Sequence, residues 1–158
     1  MTWESGGAAE TVEVRLRRLC EGVEVPAYAR PGDGACDLRS SVAMDIAPLS
    51  RALVPTGISL EIPERHGGLI IPRSGLAINF GITCLNSPGL IDSGYRGEIK
   101  VILYNSDAER TFVINQWDRI AQLIIVSLPM ISFAQVDELS ETVRGAGGFG
   151  HTGVGGST

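Results

Sequence analysis

The chain has 158 residues, a formal net charge of −5, and 44 per cent hydrophobic but only 6 per cent aromatic residues. That length suits one domain with a sizeable core, and a negative charge without a basic patch weighs against nucleic-acid binding. No apolar run is long enough to span a membrane, residues 1–10 lack a basic leader, and Cys20, Cys36 and Cys84 show no metal spacing, so we expect a cytoplasmic protein with reduced thiols and no membrane partner.

Residues 1–10 read as a loose tail. Thr11 to Arg18 alternates, with Val12, Val14 and Leu16 against Glu13, Arg15 and Arg17, the pattern of a half-buried strand. A loop rich in proline and glycine fills residues 26–35. One strand is expected within Leu38 to Ile46, then two more at Arg51 to Pro55 and Gly57 to Ile62, and a short apolar run at Gly68 to Pro72. Ser74 to Phe80 reads as the one helix, with Ser74 as its cap and Gly81 as its terminator. Ile82–Leu85 and Ile99–Tyr104 read as strands around a long hairpin loop, Asn86–Glu98, dense in Pro88, Gly89, Gly94 and Gly97. Thr111–Ile114, Ile120–Val126 and Ile131–Val136 complete the strands. About ten short strands between turns argue for an all-β sandwich or barrel. From Arg144 onward the chain holds seven glycines and almost nothing to bury. We expect a domain over 11–143 and a flexible glycine-rich arm over 144–158.

Five stretches carry chemistry. In the Asn86–Glu98 loop a carboxylate, Asp92, sits beside Ile91 and near Tyr95 and Arg96, a mixture that suits a small-molecule pocket better than a solvated turn. Pro72-Arg73-Ser74-Gly75-Leu76-Ala77 puts an arginine at a helix start, where free amides favour anions. An ordinary capped helix would explain Ser74 but leave Arg73 unused. Asp37, in Gly34-Ala35-Cys36-Asp37-Leu38, reads by itself as a turn aspartate bonding nearby amides. In Trp117-Asp118-Arg119-Ile120-Ala121-Gln122-Leu123, Asp118 and Arg119 read as a structural pair at a strand start. Arg144-Gly-Ala-Gly-Gly-Phe-Gly allows backbone amides close to phosphates, although composition alone describes a solubilising tail. No Walker loop is present, and His66 and His151 lack partners at metal spacing.

Taken together, in this order from Gly34 to Thr152, the five stretches resemble the five motifs of the trimeric dUTPase family. The resemblance implies a distorted jelly-roll-like β-barrel and a homotrimer whose three active sites are each built from all three chains. It implies Mg²⁺-assisted hydrolysis of dUTP to dUMP and pyrophosphate, which keeps uracil out of DNA and supplies dUMP for thymidylate synthesis. Carried over residue by residue, Asp92 accepts the proton of the attacking water, and Gln122 bonds a phosphate oxygen or helps place that water. Arg73, Ser74 and Gly75 grip the triphosphate. Asn86 and the main chain of Gly89, Leu90 and Ile91 hold the base, and Tyr95 packs under the deoxyribose. Arg144 meets the terminal phosphate, Phe149 stacks on the base between Gly148 and Gly150, and Asp37 meets magnesium through water. Cys36, Gly94 and Trp117 stand where the family usually has other residues. The rivals are a dCTP deaminase, which shares the fold, and a non-enzymatic jelly-roll protein that binds nucleotides as a regulator.

Overall fold

The structure, a computed structural model, describes residues 11–147. Ten strands and one helix follow in order: β1 (Arg15–Arg18), β2 (Cys36–Arg39), β3 (Met44–Ile46), β4 (Arg51–Glu61), β5 (His66–Ile71), α1 (Ser74–Phe80), β6 (Ile82–Cys84), β7 (Gly89–Asp92), β8 (Glu98–Asn105), β9 (Phe112–Ile114) and β10 (Arg119–Ser127). One sheet has the order β1-β4-β8-β6, a second β2-β10-β5-β7, and β3 pairs with β9. Every pairing is antiparallel. The layout is all-β and jelly-roll-like, but the sheets among the described residues do not close into a barrel.

Alternation explains how the sheets meet. In β8, Ile99, Val101 and Leu103 are fully buried while Lys100 between them is exposed. These side chains join Val54, Ile58 and Leu60 of β4 and, from the second sheet, Leu38, Ile70, Ile120 and Leu123 in one core. Each such side chain contributes roughly 1.5–3 kcal/mol on leaving water. No helix among the described residues is long and apolar enough to cross a membrane.

Several expected boundaries move. The first strand is only Arg15–Arg18. The segment expected to hold a strand from Leu38 to Ile46 contains two, parted at Ser40 and Ser41, where the Ser40 hydroxyl donates to the Val42 carbonyl at 2.6 Å. Arg51–Glu61 is one strand rather than two, because its ladder survives an irregularity between Pro55 and Ser59. Gly57 absorbs that irregularity at φ +72, and a Cβ there would lie 2.7 Å from Val23 Cγ2. Its amide donates to Glu98 Oε1 at 2.9 Å. Ile131–Val136 forms no strand: Met130, Ile131, Phe133 and Val136 are exposed. The alternation of Ile131 and Phe133 breaks at Gln135, and the segment pairs with no strand among the described residues.

Asn105 ends β8 wholly buried. Its amide nitrogen donates to the carbonyls of Ile46, Ala47 and Arg110, and its oxygen accepts from the Asp107 amide at 3.0 Å. These bonds tie β3 and the turn after β8 to one side chain. Asn105→Ala is expected to lower unfolding free energy by roughly 3 kcal/mol, the scale of buried partners left unmet. Urea unfolding at constant protein concentration measures it.

Candidate active site

The middle of the second sheet gathers polar groups on one face. Gln122 of β10 lies opposite Asp37 of β2 on one side and Ile71 of β5 on the other. Arg73 follows Ile71 by two residues, and so continues that face. A register shift between Arg119 and Ala121 sets Arg119 opposite Arg39, which shares the face of Asp37. Asp37 Oδ1 stands 3.1 Å from Arg73 Nε, and Asp37 Oδ2 3.2 Å from Arg119 Nη1. Arg73 Nη1 donates to the Arg119 carbonyl at 2.9 Å. The expectation that Asp118 and Arg119 form a local pair is therefore corrected. Asp118 accepts from the Asn115 amide at 2.8 Å, whereas Arg119 reaches across to Asp37. No spacing in the sequence signals that reach, since it depends on the shifted register.

Ser74 is not the helix cap. Arg73 takes that position with extended backbone (φ −90, ψ 124) and no side-chain cap bond, and its carbonyl receives the amides of Leu76 and Ala77 at 3.0 Å. Ser74 and Gly75 are exposed in the first turn. Gly81 terminates the helix in the left-handed region as expected.

The stretch between β6 and β8 is more than a loop. Gly89–Asp92 crosses to the second sheet and pairs with β5 as β7, so that Gly67 faces Asp92 and Ile70 faces Gly89. A cavity of about 330 Å³ opens beside it, lined by Asn86, Gly89, Leu90, Ile91, Asp92 and Tyr95, with Leu53, Glu98, Lys100 and Ile102 beyond. Six of the sequence-derived residues thus meet in one place. Tyr95 folds back over Gly97, its hydroxyl donating to the Glu98 carbonyl at 3.0 Å. A Cβ on Gly97 would run into the tyrosine ring and hydroxyl. Among the described residues, the Asp92 carboxylate has no hydrogen-bond or ion-pair partner, and the residue is exposed at the cavity rim.

Asp92 and Arg73 do not meet. Asp92 lies against Gly67 at one end of β5, and Arg73 follows six residues later beyond the other end. At about 3.3 Å per extended residue, roughly 20 Å separate them. Arg144 is exposed and lines neither place, its Nε donating to the Gly147 carbonyl at 2.9 Å. Gly148, Phe149 and Gly150, and the tail expected over residues 1–10, lie outside the described residues. The three cysteines are free. Burial pushes the Cys84 thiol up to about 11, and burial with the adjacent Asp37 charge raises Cys36.

An open jelly roll with a half-polar pocket at one end of a strand and paired arginines at the other defines a protein for a small anionic ligand. Comparison makes this specific: a family model described as dUTPase matches residues 21–153. The chain belongs to the dUTPase family. It is 52 per cent identical over 138 residues to a deoxyuridine 5'-triphosphate nucleotidohydrolase of Rhizobium johnstonii, covering 85 per cent of this chain and 88 per cent of that one. A protein of the same description from Streptomyces coelicolor is 47 per cent identical over 142 residues, covering 90 and 78 per cent. Among solved structures, the dUTPase of Staphylococcus bacteriophage 80alpha with dUPNHPP superposes with a TM-score of 0.82 at 26 per cent identity, over 91 per cent of this chain and all of that one. An aspartate-to-asparagine mutant of the dUTPase from phage phi11 of S. aureus, described with a coordinated structural Mg(II) ion, superposes with a TM-score of 0.73 at 25 per cent identity, over 80 and 97 per cent.

Proposed function

We propose that this chain hydrolyses dUTP to dUMP and pyrophosphate in the cytoplasm, as a homotrimer with shared sites. The observation that carries the reading is the unpaired Asp92 carboxylate at the rim of a pocket walled by main chain, Asn86 and Tyr95. The base enters between β7 and β8, where Asn86 and the backbone of Gly89, Leu90 and Ile91 read its edge. A close-fitting polar wall rejects a base with the wrong hydrogen-bond pattern and leaves no room for an added methyl. Asp92 takes a proton from water while the water oxygen bonds the α-phosphorus. The bond from that phosphorus to the α,β-bridging oxygen breaks, and pyrophosphate leaves. Arg73, Ser74, Gly75, Gln122 and Arg144 offset charge developing on the phosphates.

The roughly 20 Å between Asp92 and Arg73 is too far for one triphosphate to bridge within a chain. Placing the Arg73 face of one copy against the Asp92 pocket of another supports the shared site. We take 11–143 as the folded domain, 1–10 as a tail, and 144–158 as the arm that closes over a site, bringing Arg144, Gly148, Phe149 and Gly150. Closure would exclude water and align the phosphates.

The donor set suits magnesium carried by the substrate. No three His, Cys, Asp or Glu side chains cluster among the described residues, and Asp37 is already flanked by two guanidinium groups. Its Oδ1 makes no hydrogen bond, which leaves it an acceptor for a metal-bound water. Magnesium usually keeps several waters and binds through substrate phosphates, where it neutralises charge.

A pyrophosphate-release assay over dUTP, UTP, dCTP and dTTP tests the reading. Turnover confined to dUTP supports it; ammonia release from dCTP would favour the deaminase, and binding without turnover the regulator. Sugar selectivity follows from Tyr95 and Gly97. Tyr95→Ala opens space at the 2′ position, and Gly97→Ala displaces the ring that closes it. Both are expected to lower the ratio of kcat/KM for dUTP over UTP about tenfold or more, the scale of one misfitted group. An unchanged ratio in both would place sugar discrimination elsewhere.

A further inference from the structure

We infer that Arg119 is a positioning residue that fixes the phosphate-binding arginine, Arg73, through Asp37. The inference rests on the proposed function for the identity of the ligand, but its geometry stands on the fold alone.

Start with the strand. Ala121 lies opposite Leu38, so an unbroken ladder would set Ile120 opposite Arg39 and turn Arg119 toward the core side. The register shift instead sets Arg119 opposite Arg39. One extra residue thus serves two ends. Ile120 and Ala121 are both buried, and Arg119 is turned onto the face that carries Asp37 and Gln122. A bulge that re-aims a side chain is a positioning device in a sheet.

The re-aimed residue then acts twice on Arg73. Its carbonyl accepts from Arg73 Nη1, and its guanidinium holds the Asp37 carboxylate whose other oxygen faces Arg73 Nε. A guanidinium has five N–H donors in a rigid plane. Nε faces Asp37 Oδ1 at 3.1 Å as an ion pair without a hydrogen bond, and one Nη1 hydrogen is taken by the carbonyl. On the Nη groups three hydrogens remain, one on Nη1 and two on Nη2, for phosphate oxygens. Two arginines around one carboxylate also leave a net positive charge on this face. The Asp37 side chain is only 16 per cent exposed, and that of Arg73 24 per cent, so the pair is held where solvent screens it less than at the open surface. Arg119, at 46 per cent, is the more exposed partner. Without its charge on Oδ2, Asp37 can swing and Arg73 loses one of the two contacts that fix its plane.

A double-mutant cycle in the full-length protein separates positioning from direct contact. The probe is inorganic triphosphate with magnesium, its affinity measured by calorimetry, alongside kcat and KM for dUTP. Arg119→Ala is expected to weaken triphosphate binding roughly tenfold, the lower end of what removing an outer partner of a ligating side chain costs. In an Arg73→Ala background the same change is expected to have no further effect, because the residue through which it acts is gone. Arg119→Lys should recover part of the loss, since it keeps the charge but not the fork. Thermal melts of all variants at one concentration confirm that they remain folded. Losses that multiply in the double variant would overturn the inference and make Arg119 an independent phosphate ligand. No loss in Arg119→Ala would overturn it as well. Should the wild type bind triphosphate with the expected cycle yet release no pyrophosphate from dUTP, the proposed function falls and the clamp stands.

Discussion

Asp92→Asn is expected to lose at least ~10²-fold in turnover while dUTP still binds. Asparagine keeps the size and shape of the side chain, so the pocket of Asn86, Gly89, Leu90, Ile91 and Tyr95 should keep its form. It cannot accept a proton from water, and a general base contributes typically 10²–10⁴-fold. Asp92 is exposed at the rim and its carboxylate carries no structural bond among the described residues, so the substitution removes chemistry rather than support. The diagnostic pattern is a collapsed kcat with nearly unchanged affinity for a non-hydrolysable dUTP analogue. Turnover close to wild type would take Asp92 out of the mechanism.

Mixed trimers supply the second large effect. Asp92→Asn and Arg73→Ala are each expected to be nearly inactive as homotrimers, since losing one donor to a developing anion also costs about 10²-fold. Give the two chains different tags, refold them together, and isolate by both tags. Every trimer so obtained contains both kinds of chain. If each site draws Asp92 from one copy and Arg73 from another in a closed ring, one site in three is whole, and about one third of wild-type activity returns. A site built within one chain would lack one residue or the other every time, and mixing would restore nothing. The roughly 20 Å between the two residues along β5 is the reason to expect recovery.

Much of this was legible because two simple periods dominate. The alternation in β8 and the Gly81 terminus of α1 follow directly from side-chain and backbone geometry. The pocket residues were legible because they lie close together in sequence between Asn86 and Tyr95. What escaped depended on pairing. β7 hides among turn residues, since Pro88 and Gly89 mark a break and only the edge of β5 makes Gly89–Asp92 a strand. The reverse holds at Ile131–Val136, whose β-prone residues start an alternation at Ile131 and Phe133 that breaks at Gln135. Arg119 escaped because a single added residue decides which way it points, and composition is blind to register. Ser74 looked like a cap by residue type, but Arg73 has the capping backbone.

The uncovered segment after β10 has a consequence for what a melting temperature means here. Met130, Phe133 and Leu139 are 84, 92 and 87 per cent exposed, a density of bare apolar side chains that water does not leave idle. Such side chains gain free energy from any apolar cover, a neighbouring copy included. Apolar cover gained from neighbours joins folding and assembly into one mass-action equilibrium, so apparent stability becomes a function of protomer concentration. Where copies cover these side chains, dilution lowers the apparent stability.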